Sequence, residues 1–280
     1  MLAVTNNFKT AIQASKRQLA AKVELYTGST LTATYMHTDA IKSIAIDRTG
    51  EESKFFGFSV THRFNIKLRD VPRAINVSTA NHFKISLGLN VNGTYEYVNY
   101  PLAYVTEVNR DENTNELSIT AYDLLNSAKT LLQSDLGLTA PYSIKNVAEA
   151  CSGLLKASSV VIPNLDIFNL SYPTGANFEG SETLQEVIKA IAEATQTICY
   201  VNASNQLVFK RLDRDGAAVK TITKEHYFDL DSGTNKRLQT IACITELGDN
   251  VHASTTQNGS TQYIRNNGFL DLREDITSLV

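Results

Sequence analysis

The sequence predicts an α+β protein that is predominantly β. Three observations carry this. Apolar and polar residues alternate at period two through much of residues 19–121, the spacing turns helical after Asp123, and a β-like pattern returns from Gly216. Alternation at period two gives a strand one buried and one wet face, as antiparallel sheets require.

The elements follow in chain order. Residues 6–19 predict a short helix with Phe8, Ile12 and Leu19 on one side, followed by a strand in which Ala21, Val23 and Leu25 alternate. Thr27-Gly28-Ser29 reads as a turn and residues 41–47 (IKSIAID) as a short apolar run. The clearest strand is 58–68. Phe58, Val60, His62, Phe64, Ile66 and Leu68 take one parity, and Ser59, Thr61, Arg63, Asn65 and Lys67 take the other. Phe83, Ile85, Leu87 and Leu89 repeat the pattern up to Asn92-Gly93, a hairpin turn of two residues that tolerate positive φ. Tyr95 and Tyr97 alternate next. A strand over 102–108, a polar loop over Asn109–Asn115 and a strand carrying Leu117, Ile119 and Ala121 complete a set dense enough for a barrel or a sandwich.

Beyond Asp123, Leu124, Leu125, Ala128, Leu131 and Leu132 recur at helical spacing. Ser143 caps a second helix whose apolar face is Ile144, Val147, Ala148, Cys151, Leu154 and Leu155. Residues 160–180, with Pro163, Pro173 and Gly175, read as an extended connection. Thr183 and Glu186 form a capping box ahead of Leu184, Val187, Ile188, Ile191 and Ala192. TICYV, a turn at Asn202–Asn205 and QLVFKRL then make a hairpin. Three domains are predicted: a β-domain at 1–125, an α+β insert of two small units at 126–215, and the start of a second β-domain at 216–280. In the last of these, 238–247 (LQTIACITEL) is the best strand, with Ile241, Cys243, Thr245 and Leu247 on one parity, and 248–262 reads as a long polar hairpin loop. A barrel begun at 216 holds too few strands by 280 to close. Its other strands are expected from elsewhere, or the sequence is a piece of a longer chain.

Composition narrows the function classes. The chain has 280 residues, 42% hydrophobic, with 26 basic against 29 acidic side chains and a formal charge of −3. That balance argues against broad electrostatic binding to nucleic acid or an acidic membrane. Lys16, Arg17 and Lys22 form a small basic cluster without an aromatic stacking platform. No segment reaches the roughly 18–20 apolar residues of a membrane span. The N-terminus lacks a signal-peptide apolar region, which predicts synthesis in the cytoplasm without secretory entry of its own. Cys151, Cys199 and Cys243 stand far apart in apolar contexts and read as buried reduced thiols, a disulfide being the lesser reading.

No catalytic, cofactor-binding or metal site is predicted. His37, His62, His82, His226 and His252 have no metal-ligand spacing, and His62 reads as a satisfied core or interface histidine. HExxH, paired CxxC, GxSxG, Walker A and GxGxxG sequences are missing. Asp213-Arg214-Asp215-Gly216 and Asp229–Gly233 begin like calcium loops but lack the later ligands, and Asp111/Glu112 and Glu51/Glu52 read as solvated turns rather than paired catalytic carboxylates.

Three stretches carry a resemblance. The first is FKTAIQASKRQLAAKVELYTG with DAIKSIAIDRTGEESKFFGFSVTHRFNIKL, the second PLAYVTEVNRDENTNELSITAYDLLNSAKTLL, the third SETLQEVIKAIAEATQTICYVNASNQLVFKRL. In order and spacing over residues 8–245 they resemble the baseplate hub, or tail-associated protein, of tailed phages and prophages. Asn205 and Ala103 stand where members often carry Gly, and the family's second barrel continues past the position matching 280.

The resemblance implies tail-tube-like antiparallel β-barrel domains with small α+β domains inserted between them. It implies a homotrimeric, pseudo-hexameric ring at the tail tip of a virion, assembled in the bacterial cytoplasm. Two similar barrels per chain, in three copies, give six tube-like positions. Such a ring joins a tail-tube ring or distal tail protein above to a spike, fibre or lysin below. DNA passes through its lumen without specific binding, and neither catalysis, a cofactor nor stable membrane insertion is implied. A polar, slightly acidic wall suits that passage, since a basic one would hold phosphates. Thr61, Arg63, Asn65 and Lys67 are then expected to face a lumen or a neighbour, and 248–262 to touch a partner ring. Two other readings stand beside this one. One is the N-terminal structural part of a tail-associated peptidoglycan hydrolase. The other is a host-carbohydrate-binding β-module, which the lack of Trp weighs against.

Overall fold

In a computed structural model of the chain, residues 4–14, 16–50, 56–72, 75, 77–111, 113–138, 142–165, 168, 173–174 and 181–211 are described, together with three strands within 238–265. A short helix, α1 (Asn6–Ala11), is capped by the Thr5 side chain, which accepts from the Phe8 N–H. β1 (Leu19–Thr27) and β2 (Thr30–Met36) form a hairpin about Gly28, whose φ of 58° is the left-handed conformation that glycine adopts without strain. β3 (Ile41–Thr49), β4 (Phe58–Leu68), β5 (Asn81–Val91), β6 (Thr94–Asn99), β7 (Ala103–Asp111) and β8 (Glu116–Tyr122) follow. A 3₁₀ turn (Leu124–Lys129) leads to β9 (Tyr142–Ser143), α2 (Ile144–Leu154), β10 (Val160–Val161) and β11 (Pro173–Thr174). Next come α3 (Leu184–Ala194), β12 (Thr197–Val201) and β13 (Leu207–Arg211), then β14 (Leu238–Ile244), β15 (Asn250–Ala253) and β16 (Ser260–Arg265).

One 11-stranded sheet dominates, in the order β10-β13-β12-β4-β8-β7-β5-β1-β2, with β3 also on β4 and β6 also on β5. The chain is predominantly β as expected, but the sheet is mixed rather than purely antiparallel, and no closure of it is seen among the described residues. The cause lies in β4, which is longer than its pairing with β8. β8 covers only Arg63–Leu68, so the start of β4 offers a free edge, and β12 fills it in parallel (Ile198↔Phe58, Cys199↔Ser59, Tyr200↔Val60). A second, three-stranded sheet has β14 between β15 (antiparallel) and β16 (parallel). Strands at 250–253 and 260–265 correct the expectation of one polar loop over 248–262; pairing with β14 outweighs the Asn- and Gly-containing composition there. The parity expected for Ile241, Cys243, Thr245 and Leu247, and both calcium-like loops, lie outside the described side chains.

Two cores stand on the large sheet. The first takes Val23, Leu25, Phe64, Ile66, Leu68, Phe83, Ile85, Leu117 and Ile119 from β1, β4, β5 and β8. The second takes Leu124 and Leu125 from the 3₁₀ turn, Ile144, Val147 and Cys151 from α2, Leu184, Val187, Ile188 and Ile191 from α3, and Cys199, Leu207 and Phe209 from the hairpin. Each fully buried Leu, Ile or Phe contributes about 1.5–3 kcal/mol relative to exposure. α2 starts where Ser143 accepts from the Asn146 N–H, as its sequence predicts. α3 starts at the Thr183/Glu186 box, in which Thr183 N–H donates to Glu186 Oε2 at 2.7 Å and Glu186 N–H to Thr183 Oγ1 at 3.3 Å. The first of these bonds, with that of the Thr183 hydroxyl, holds the Glu186 carboxyl below the ordinary carboxylate range. This contribution is present above that range and is lost as pH falls through the lowered folded-state value. The Asn92-Gly93 turn forms as expected, with φ of 54° and 89°. Asn205, where the resembled family often carries Gly, has φ of 57°, a conformation Asn tolerates best after Gly.

Four further expectations change. Leu19 opens β1 and is 65% exposed rather than sharing a helix face with Phe8 and Ile12. Strand β7 runs on to Asp111, so the loop before β8 is shorter than Asn109–Asn115. The helical spacing after Asp123 forms a 3₁₀ turn, with Leu132 beyond it and 40% exposed. The parity of β4 holds only from His62 to Leu68, since Ser59 and Thr61 are buried as well. There α3 lies against the strand: a Cβ at Gly57 would stand 3.1 Å from Glu193 Cα, so the polar parity is covered by helix rather than water.

Candidate functional site

Strand β4 and the 3₁₀ turn meet where β8 ends, and the chemistry-bearing side chains of the described region converge there. His62 and Asp123 are 5% and 2% exposed. Asp123 Oδ2 accepts from the His62 N–H at 2.8 Å and lies 2.8 Å from His62 Nδ1, while Asp123 Oδ1 accepts from the Leu125 N–H at 3.1 Å. Asp123 N–H returns a bond to the His62 carbonyl. One carboxylate therefore ties the end of the first core to the turn that opens the second. The His62 ring stacks on Phe64 at 6.0 Å, which fixes its plane. His62 is the satisfied core histidine the sequence predicts. Asp123 was not singled out by pattern, although an Asp directly before a helical run is an N-cap signal.

Cys199 lies close enough to this pair for the Asp123 charge to act on it, but it is no nucleophile. Burial, then Cys151, then Asp123 push its thiol well above the ordinary value, and burial does the same to Cys151. A reactive cysteine needs the opposite shift. Both are buried free thiols, as predicted, while the side chain of Cys243 lies outside the described residues. No group of three or more His, Cys, Asp or Glu able to hold a metal occurs among the described residues, and no described helix is long and apolar enough to cross a membrane.

What the geometry does present is surface. On β4, Arg63 and Lys67 are exposed and Asn65 half-buried, opposite Tyr122, Ser118 and Thr120 of β8. Asn65 Nδ2 donates to Asp47 Oδ2 at 3.4 Å, and Lys42 pairs with Glu116. Thr61, expected on this wet face, is buried beneath α3 instead. Asp111, the last residue of β7, is exposed, and the N–H groups of Asn113 and Thr114 hold its carboxyl below the ordinary range. Glu112, Glu51 and Glu52 lie outside the described residues.

No protein-family model matches the chain, and no curated protein matches it. Among solved structures it is similar to the 43 kDa tail protein of prophage MuSo2 from Shewanella oneidensis, at 11% identity over 87% of this chain and 72% of that one, with a TM-score of 0.49. It is similar to the prophage tail protein gp18 from Listeria monocytogenes EGD-e, at 12% identity over 88% and 71%, with a TM-score of 0.48. It is also similar to a tail protein from Neisseria meningitidis MC58, at 11% identity over 88% and 71%, with a TM-score of 0.47.

Proposed function

We propose that this chain is a structural component of a phage-type tail, built into the hub of the tail tip or baseplate, and that it works through surfaces rather than catalysis. One observation carries the reading. The three stretches that resemble the hub family fold, in order, as strands β1, β3 and β4, as β7, β8 and the 3₁₀ turn, and as the capped helix α3 with its hairpin. The last of these then docks back on the free edge of the first through β12 and β4. The raised thiols and the fully engaged Asp123 support a non-enzymatic role.

In this reading residues 1–125 form the first tube-like domain, 126–215 an α+β insert, and 216–280 the start of a second tube-like domain. Three copies make a pseudo-hexameric ring in the virion tail. A tail-tube ring or distal tail protein lies on one side and a spike, fibre or lysin on the other. The mixed polar face of Arg63, Asn65, Lys67, Ser118 and Thr120 meets the lumen or a neighbour, and DNA passes without specific binding. The test is co-expression with the tail-tube protein and the distal tail protein encoded in the same genome. Co-elution with at least one of them as a single large complex is expected. Separate elution of all the folded proteins contradicts the assignment.

A further inference from the structure

The β5–β6 hairpin turns on Asn92-Gly93 alone, since Val91 pairs with Thr94. Both turn residues are exposed, and both take positive φ, 54° and 89°. Nothing lies within 4 Å of where a Cβ would stand on Gly93, so solvent reaches its backbone. An asparagine followed by glycine carries a reaction of its own, because no side chain crowds the glycine nitrogen as it approaches the asparagine carboxamide.

The fold engages that nitrogen. Gly93 N–H donates to Asn90 Oδ1 at 2.8 Å. The Asn90 side chain is itself held. Its Nδ2 donates to Gln18 Oε1 at 2.8 Å, and the Asn90 backbone N–H donates to the Gln18 carbonyl at 2.9 Å. An anchored acceptor therefore sits on the one proton that the reaction must remove.

We propose that Asn92 is a site of spontaneous deamidation and that Asn90 restrains it. The Gly93 nitrogen gives its proton to a solvent base and attacks Asn92 Cγ. The new C–N bond closes a five-membered succinimide, the Cγ–Nδ2 bond breaks, and Nδ2 leaves as ammonia after taking up a proton. Water then opens the ring at one of its carbonyls, leaving an aspartyl or isoaspartyl residue at position 92. Water is consumed and ammonia released, with no oxidant or reductant. The isoaspartyl product adds a methylene to the main chain and a negative charge to a tight turn, so it disrupts the Val91–Thr94 pair. The assembly role does not need this chemistry and stands whatever its outcome.

The test follows conversion of Asn92 by peptide mass spectrometry on the full chain held at mildly alkaline pH, with chromatography separating aspartyl from isoaspartyl peptides. Conversion should be slower in the folded protein than in the same protein in urea. Asn90→Ala should speed it by about fivefold in the folded state, the scale of one hydrogen bond. Asn90→Asp, which keeps an acceptor oxygen, should stay at the wild-type rate, and in urea wild type and Asn90→Ala should convert alike. Conversion at Asn258-Gly259 and Asn267-Gly268 in the same digests should not differ between the folded variants. Thermal melts establish which variants fold. Equal rates at Asn92 in folded and urea-treated wild type, or in folded wild type and folded Asn90→Ala, overturn the proposal.

Discussion

Phe64→Asp abolishes the cooperative unfolding transition of the sheet domain, while Arg63→Ala, one residue away, shifts it little. Phe64 is 0% exposed, packed among Ile66, Phe83 and Ala121 and edge-on to Tyr100 at 6.4 Å. Losing a buried phenyl ring costs about 3–5 kcal/mol. An unpaired carboxylate in its place adds several kcal/mol more, or forces the group to bind a proton. Together these approach the ~5–15 kcal/mol that holds a whole domain folded. Arg63 is exposed on the opposite parity, where substitutions stay within about 0.5 kcal/mol. Circular dichroism melts of the two variants check this. Equal destabilisation would contradict the assignment of the two faces of β4.

Asp123→Ala is the second large effect, expected at about 3–5 kcal/mol in urea denaturation. The carboxylate accepts from the His62 N–H, from the Leu125 N–H and pairs with the His62 ring, all inside protein. Removing it leaves those donors buried without an acceptor, and a lone buried donor costs about 1–3 kcal/mol. His62→Phe should cost less, because Asp123 keeps both backbone N–H bonds and the replacement ring can still stack on Phe64. A loss below about 1 kcal/mol for Asp123→Ala would mean that the carboxylate does not join the two cores.

The legible parts of the fold were those whose signals are local. β4 was bounded at Phe58 and Leu68 by period two alone, the α3 start by the Thr183/Glu186 pair, and the β5–β6 turn by Asn92-Gly93. Each is decided within a few residues. β2 was missed because Thr30–Met36 is an edge strand with a Thr at every second position and Tyr35 alone buried, so it shows no apolar run. The burial of Ser59 and Thr61 was illegible for a different reason. Their parity is polar, and what covers them is a helix that begins 123 residues after Thr61. The pairing of β12 with β4 has the same origin, since a free edge appears only once β8 has been found to stop at Arg63. His62 was read correctly as a satisfied histidine, but its partner lies 61 residues away and no spacing rule connects them. The Tyr95–His37 ring contact was invisible likewise, since it joins β6 to the turn after β2.

The central claim is that the chain acts by assembling into a tail-tip ring. Its most direct test is the solution mass of the purified chain by light scattering, with negative-stain images of the same sample. The account predicts three copies per particle and a ring with a central hole. A compact monomer without a ring would contradict it.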